Sequence, residues 1–377
     1  MDKVVKKRIS LVTKILGVII LGFLLLLLAG FLAVRFNLTM ISGAVDQNTN
    51  SYNLLENNLS ENYQANLVYL PANKSQQEID DSKIYCRLNA LADFADYNAA
   101  NIFKVYEQNK SYGLAEKMIL AVKLRLPNKP ELVDKLSKCD TEENTGVTKS
   151  LLENRLKNIK QQNVFVWQNE EPWQVVREAV IKDKDKINQA SAVLDISPRL
   201  ILSVAIVEQL RLYYTQRELF ETVFRPLKIL ASANKMAWGV MSIKETAAIR
   251  AEEGMRDKNS VFYPGDKYAK LLNLTTNDPV GERYAKLTND KDHYYSYLYG
   301  GAIIKQLIAQ WQKAGYDISD RPEILATLFN IGVQNSKPKS NPQVGGSKIE
   351  IEGNKYVFGS LAYEFYYSGD LIADFPY

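Results

Sequence analysis

Each change in the spacing of apolar and polar positions along the chain marks a change of element. Residues 15–34 are an unbroken run of twenty uncharged, mostly aliphatic residues. At about 1.5 Å rise per residue, such a helix spans the roughly 30 Å hydrocarbon core of a bilayer. Residues 46–82 are rich in Asn, Ser, Gln and Glu with little periodicity, and read as a polar tether with short helical turns at most. Helical spacing begins at Lys83, runs to Gln108, and resumes over 112–126, with Pro127 and Pro130 closing the pair. Residues 148–162 and 173–194 are further amphipathic helices, the second with a broken stripe of Val175, Val176, Ala179, Val180, Ile187 and Ala190.

The next run, 196–210, is apolar on nearly every side and contains a single carboxylate, Glu208. Ser197 suits the N-cap and Pro198 the first helical position. Helical spacing puts Ile201, Val204, Ala205 and Leu212 on the same face as Glu208. A carboxyl desolvated there is expected to keep its proton near neutrality and to donate it to a leaving oxygen. The alternative is a glutamate whose stem packs while its carboxylate reaches water or Arg211.

Residues 219–236 are basic and apolar, interrupted by Pro226. The sequence Ala237-Trp238-Gly239-Val240-Met241-Ser242 then predicts a tight turn. Ser242 with Glu245 three residues on has the spacing of a capping box, starting a helix to about Glu253. Gly239 would let backbone approach a sugar, with Met241 or Ser242 in contact; Ser242 as a cap alone is the other reading. Residues 254–292 read as loop. His293, Tyr294, Tyr295, Tyr297 and Tyr299 crowd the entrance to a helix over about 299–314, as sugar-facing rings or as packing residues. Residues 321–332 have Pro at the helix start and Gly at its end, with Asn330 placed to help cap it. Residues 333–347 are loop, 348–358 alternate as a β-hairpin around Gly353-Asn354, and a short helix and aromatic tail follow.

Charge changes this picture at one place. Of 47 basic and 43 acidic residues, six and one respectively fall before residue 36, leaving 41 and 42. The net charge of +4 therefore belongs to the N-terminal segment. No basic footprint for nucleic acid remains. Lys3, Lys6, Lys7, Arg8 and Lys14 precede the apolar run, so its N-terminal side is expected to stay cytoplasmic and the bulk of the chain to be exported. A run this long, with no small-x-small cleavage site after it, reads as an anchor rather than a cleaved signal. On the exported side Cys86 and Cys139 can pair as a disulfide; two buried thiols are the alternative. One histidine and two cysteines cannot assemble an all-His/Cys zinc site. No phosphate-binding glycine loop or nucleophile motif is present, and no metal or cofactor is expected. Carboxylate chemistry is what remains.

Val207-Glu208-Gln209, Gly239-Val240-Met241-Ser242 and Leu328-Phe329-Asn330-Ile331-Gly332 occur in the order of three motifs of the lytic transglycosylases. That family has a glutamate followed by a small polar residue, a Gly-Leu-Met-Gln turn and an Ala-Tyr-Asn-Ala-Gly helix end. The likeness covers about residues 173–335. Gln209 stands for the usual serine, Ser242 for the glutamine and Phe329 for the tyrosine. The 31 positions from Glu208 to Gly239 exceed the usual gap, implying an insertion over the cleft. The residue pattern gives a mainly α chain with cytoplasmic segment 1–14, transmembrane helix 15–34, tether 35–82 and helical domain 83–165. The resemblance, which leaves out the Cys-containing region, implies a lysozyme-like catalytic domain over 166–377 with a small β-hairpin. It also implies Glu208 as general acid and base on the bond between N-acetylmuramic acid and N-acetylglucosamine. Gln209, Gly239, Met241, Ser242, Tyr295, Phe329 and Asn330 would bind substrate, and the partners would be peptidoglycan strands and the membrane. A degenerate domain that binds glycan or scaffolds an envelope or secretion complex is the alternative implied by the substitutions.

Overall fold

The computed structural model describes residues 75–126, 129–141, 146–214 and 237–377, with residues 44–45 and single positions 17, 21, 22 and 25. The expected transmembrane helix lies almost wholly outside the described residues, as does the segment 219–236. Among the described residues no helix is long and apolar enough to cross a membrane. The fold is mainly α, with thirteen α-helices and three short antiparallel ladders among those residues.

The first helix, α1 (Gln76–Leu91), starts within the expected tether. Ser75 accepts the Glu78 N–H while the Glu78 carboxylate takes the Ser75 N–H, a complete capping box. The helical stretch expected over 83–108 is broken, because α2 (Asp96–Asn109) starts anew after a turn at 92–95. Asp93 in that turn binds Lys135 and Arg155, so tertiary partners hold the break open. Helix α3 (Tyr112–Arg125) is capped by Ser111, and α4 (Pro130–Thr141) follows. Helix α5 (Lys149–Leu156) stops short of the expected 162. The following Lys160 and Gln161 N–H groups instead donate to the Asp96 carboxylate, 2.8 and 3.0 Å away, at the start of α2. Cys86 on α1 and Cys139 on α4 are joined as a disulfide with Cα atoms 5.7 Å apart.

The second half begins with α6 (Glu171–Lys182) and α7 (Lys184–Leu194), where one helix was expected; they part at Asp183. Helix α8 (Pro198–Tyr214) is buried on all sides from Leu200 to Val207 and packs on α6 and α7. A helix apolar all round belongs at the centre of a fold. Strands β2 (Ala237–Trp238) and β3 (Ile243–Lys244) pair across a turn, following a short strand, β1 (Ala44–Val45). Then come α9 (Glu245–Arg256), α10 (Pro279–Leu287) inside the expected loop, α11 (Tyr294–Lys313) and α12 (Pro322–Ile331). Asp278 caps α10 by accepting the Gly281 N–H. Strand β4 (Gly345–Gly346) pairs with β1, and β5 (Lys348–Ile351) with β6 (Asn354–Val357). The turn of this hairpin is Glu352-Gly353, both at positive φ as a type I′ turn requires. Helix α13 (Phe358–Tyr367) completes the fold and packs on α8 and α12.

The buried apolar residues form one cluster running from Ile84 to Phe375. Glu364 on α13, 2% exposed at its side chain, pairs with Arg125 of α3 and accepts the Trp167 indole N–H at 2.8 Å. Arg199, fully buried near the start of α8, donates to the carbonyls of Phe365, Tyr366, Asp370 and Phe375. Its guanidinium also lies 4.5 Å from the Tyr377 ring centroid.

Candidate active site

Glu208 lies in the third turn of α8 and is 3% exposed. The apolar face is as expected, with Ile201, Val204 and Ala205 buried beside it. The carboxylate itself meets a charge: Arg211, one turn on and also buried, donates from Nε to Oε2 at 3.1 Å and from Nη2 to the same oxygen. This corrects the picture of an acid among apolar neighbours alone. The spacing i, i+3 puts the two side chains on one face, where they pair in the interior.

Gln209, next along the helix, reaches the predicted turn. Its Nε2 donates to the Val240 carbonyl at 2.6 Å. The turn is closed by the Ser242 N–H on the Gly239 carbonyl at 3.0 Å. Gly239 has φ +69°, and a Cβ there would stand 2.2 Å from the Leu287 carbonyl, so glycine is required. Ser242 is at φ +49°, a left-handed conformation in which it cannot be an N-cap, whose backbone is extended. Two strand residues follow, and α9 starts at Glu245 with Lys244 at its N-cap position and no side-chain cap bond. The expected capping box at Ser242 is therefore absent. Met241 is 0% exposed, and its Cε methyl fills the space where a Cβ on Gly300 would stand, packing the turn onto α11. Its N–H donates to Ser296 Oγ at 3.1 Å.

The tyrosines lie inside α11, which begins at Tyr294 rather than near 299. Tyr297 and Tyr299 are buried, with hydroxyls on Asp183 and Glu252 at 2.7 Å each, and so pack rather than face a ligand. Tyr295 is half-buried, edge-on to Tyr294, with the Lys286 ammonium 4.7 Å from its ring centroid. Phe329 packs at the edge of the core. Asn330 does not cap α12; its Oδ1 accepts from the Ser347 N–H and hydroxyl at 2.8 and 3.0 Å, tying α12 to the segment after β4. Gln209, the 239–242 turn and Ser296 are thus linked by direct hydrogen bonds, with the Glu208 carboxylate bonded to Arg211 instead, whereas Asn330 serves the hairpin side.

Sequence reasoning missed further buried acids. Arg283 on α10 grips Glu252 of α9 with two bonds, 2.7 and 2.9 Å, and lies 3.6 Å from Glu245. Arginine and carboxylate are 31 residues apart, beyond any helical spacing. His293 Nδ1 lies 2.6 Å from Asp183 Oδ2. Burial alone would raise the Asp183 pKa, but the bonds from His293 and Tyr297 outweigh it and hold the carboxyl below its ordinary value. The same bond raises His293 above its ordinary value against the opposing effect of burial. Among the described residues, no group of three or more His, Cys, Asp and Glu is arranged to hold a metal.

Comparison of the chain with family models, curated proteins and solved structures finds no match in any of the three.

Proposed function

We propose that the chain is a membrane-anchored enzyme that cleaves peptidoglycan as a lytic transglycosylase, with residues 15–34 in the membrane and a lysozyme-like domain on the exported side. The observation that supports this reading best is the 2.6 Å bond from Gln209 to Val240. It joins the helix of the single α8 carboxylate to the glycine turn, the two motifs whose order in the sequence resembles the family. Glu208 protonates the glycosidic oxygen between N-acetylmuramic acid and N-acetylglucosamine, and the muramyl acetamido oxygen assists departure. The carboxylate then takes the proton of the sugar's own 6-hydroxyl, which closes a 1,6-anhydro ring. One carboxylate suffices for this route, whereas hydrolysis by inversion or retention needs two. Arg211 fixes the orientation of the carboxyl through Oε2. The disulfide accords with an oxidising, exported compartment.

Incubation with purified peptidoglycan, followed by mass spectrometry, should release 1,6-anhydro-muropeptides, and Glu208→Gln should abolish them. Equal release by the two proteins would sink the reading.

The Arg211 pair favours a second reading. A buried carboxylate already occupied by an arginine is a structural ion pair, which fits a degenerate domain that binds glycan or scaffolds an envelope or secretion complex. On that reading murein pull-down survives Glu208→Gln and neither protein forms product.

A further inference from the structure

Two residues at the start of α11, one helical turn apart, bind the same carboxylate oxygen: His293 at 2.6 Å and the Tyr297 hydroxyl at 2.7 Å from Asp183 Oδ2. Asp183 is the junction at which α6 gives way to α7. Between the two lies Ser296, 1% exposed, whose hydroxyl receives the Met241 N–H of the glycine turn. We infer that His293 is a pH-dependent positioning residue: charged, it locks the first turn of α11 onto Asp183 and thereby fixes the hydroxyl that holds the 239–242 turn.

The surroundings favour a charged imidazole. Asp183 acts on it from the helix junction, and Asp292 and Asp290 from its own loop, while Lys186 of α7 meets Asp292 at 3.2 Å. The amino end of α11 opposes a cation there, and the carboxylates offset it. The side chain is 29% exposed, so its proton exchanges with solvent. Since the folded His293 pKa is raised, its stabilising effect is complete below the unfolded value of about 6.5 and is lost as pH rises through the folded value. A neutral imidazole can still donate from Nδ1, so the latch loosens rather than opens. This device fixes the turn whatever the turn binds; its bearing on murein cleavage rests on the function proposed above.

The chain has no other histidine, so a histidine titration belongs to this residue. With full-length protein labelled at histidine with carbon-13, the NMR midpoint should lie above about 6.5 and fall in Asp183→Asn. Hydrogen–deuterium exchange of the peptide spanning 238–244, corrected for intrinsic rates, should show protection falling about threefold between pH about 5.5 and about 8. His293→Gln, which donates without titrating, should show no such fall. A wild-type midpoint at or below about 6.5, a midpoint unmoved by Asp183→Asn, or parallel exchange profiles for wild type and His293→Gln overturns the inference. None of these readouts uses murein cleavage, so its absence leaves them untouched.

Discussion

Burial makes the Glu208–Arg211 pair a matter of stability as well as chemistry. The side chains are 4% and 9% exposed, so truncating either removes a buried charge's ion-pair partner. Glu208→Ala and Arg211→Ala should each cost about 3–5 kcal/mol in urea unfolding. The double variant should lose less than the sum, with a coupling of about 1–3 kcal/mol; strict additivity would show that the pair does not interact. A matched melting curve must therefore accompany any activity measured on Glu208→Gln. Gly239→Ala should destabilise by about 2–4 kcal/mol, since positive φ and the Leu287 carbonyl both oppose a Cβ. At this scale the sequence was legible where chemistry is local: Glu208, its apolar face and the need for a glycine at 239. It misled at Ser242, because Ser-x-x-Glu spacing says nothing of φ. The same spacing at Ser75 and Glu78, set in a polar run, is where a capping box formed.

Helices α1 and α4 are held together twice over. The disulfide joins Cys86 to Cys139, and the adjoining Arg87 and Asp140 form an ion pair at 2.8 Å. Opening the disulfide by reduction should lower the unfolding free energy by about 2–4 kcal/mol, measured against denaturant with and without reductant. Arg87 also meets Glu116 of α3 at 2.6 Å. Burial pushes the Glu116 carboxyl up to about 7 from its ordinary 4.5, Arg87 opposing and Asp140 adding to the rise. A folded state that holds its proton more tightly is favoured at low pH. This contribution is therefore present below pH 4.5 and is lost between 4.5 and about 7, on the order of 3 kcal/mol. Glu116→Gln should flatten that part of the stability–pH curve; an unchanged slope counts against the assignment. Most helices were visible from their periodicity, but their ends were not. The breaks at 92–95 and at Asp183 are held by Asp93 and Asp183 binding partners from distant segments, which no local pattern records.

Across the whole molecule, α8 is the axis on which α6, α7, α11, α12 and α13 pack. Its apolar surround and Ser197-Pro198 start announced a central helix. The clamp at Arg199 was illegible, because its partners are main-chain carbonyls that every residue possesses. Lysine has three donors in place of a five-donor fork. Arg199→Lys should therefore cost about 2–3 kcal/mol in thermal or denaturant unfolding, with wild-type stability as the result that would contradict it. The carbonyls that satisfy Arg199 lie 166 to 176 residues further along the chain. A chain made at about 5–20 residues per second exposes this guanidinium for on the order of ten to thirty seconds before its acceptors exist. The central helix is thus closed by a segment made long after it, and until then its guanidinium has water for a partner.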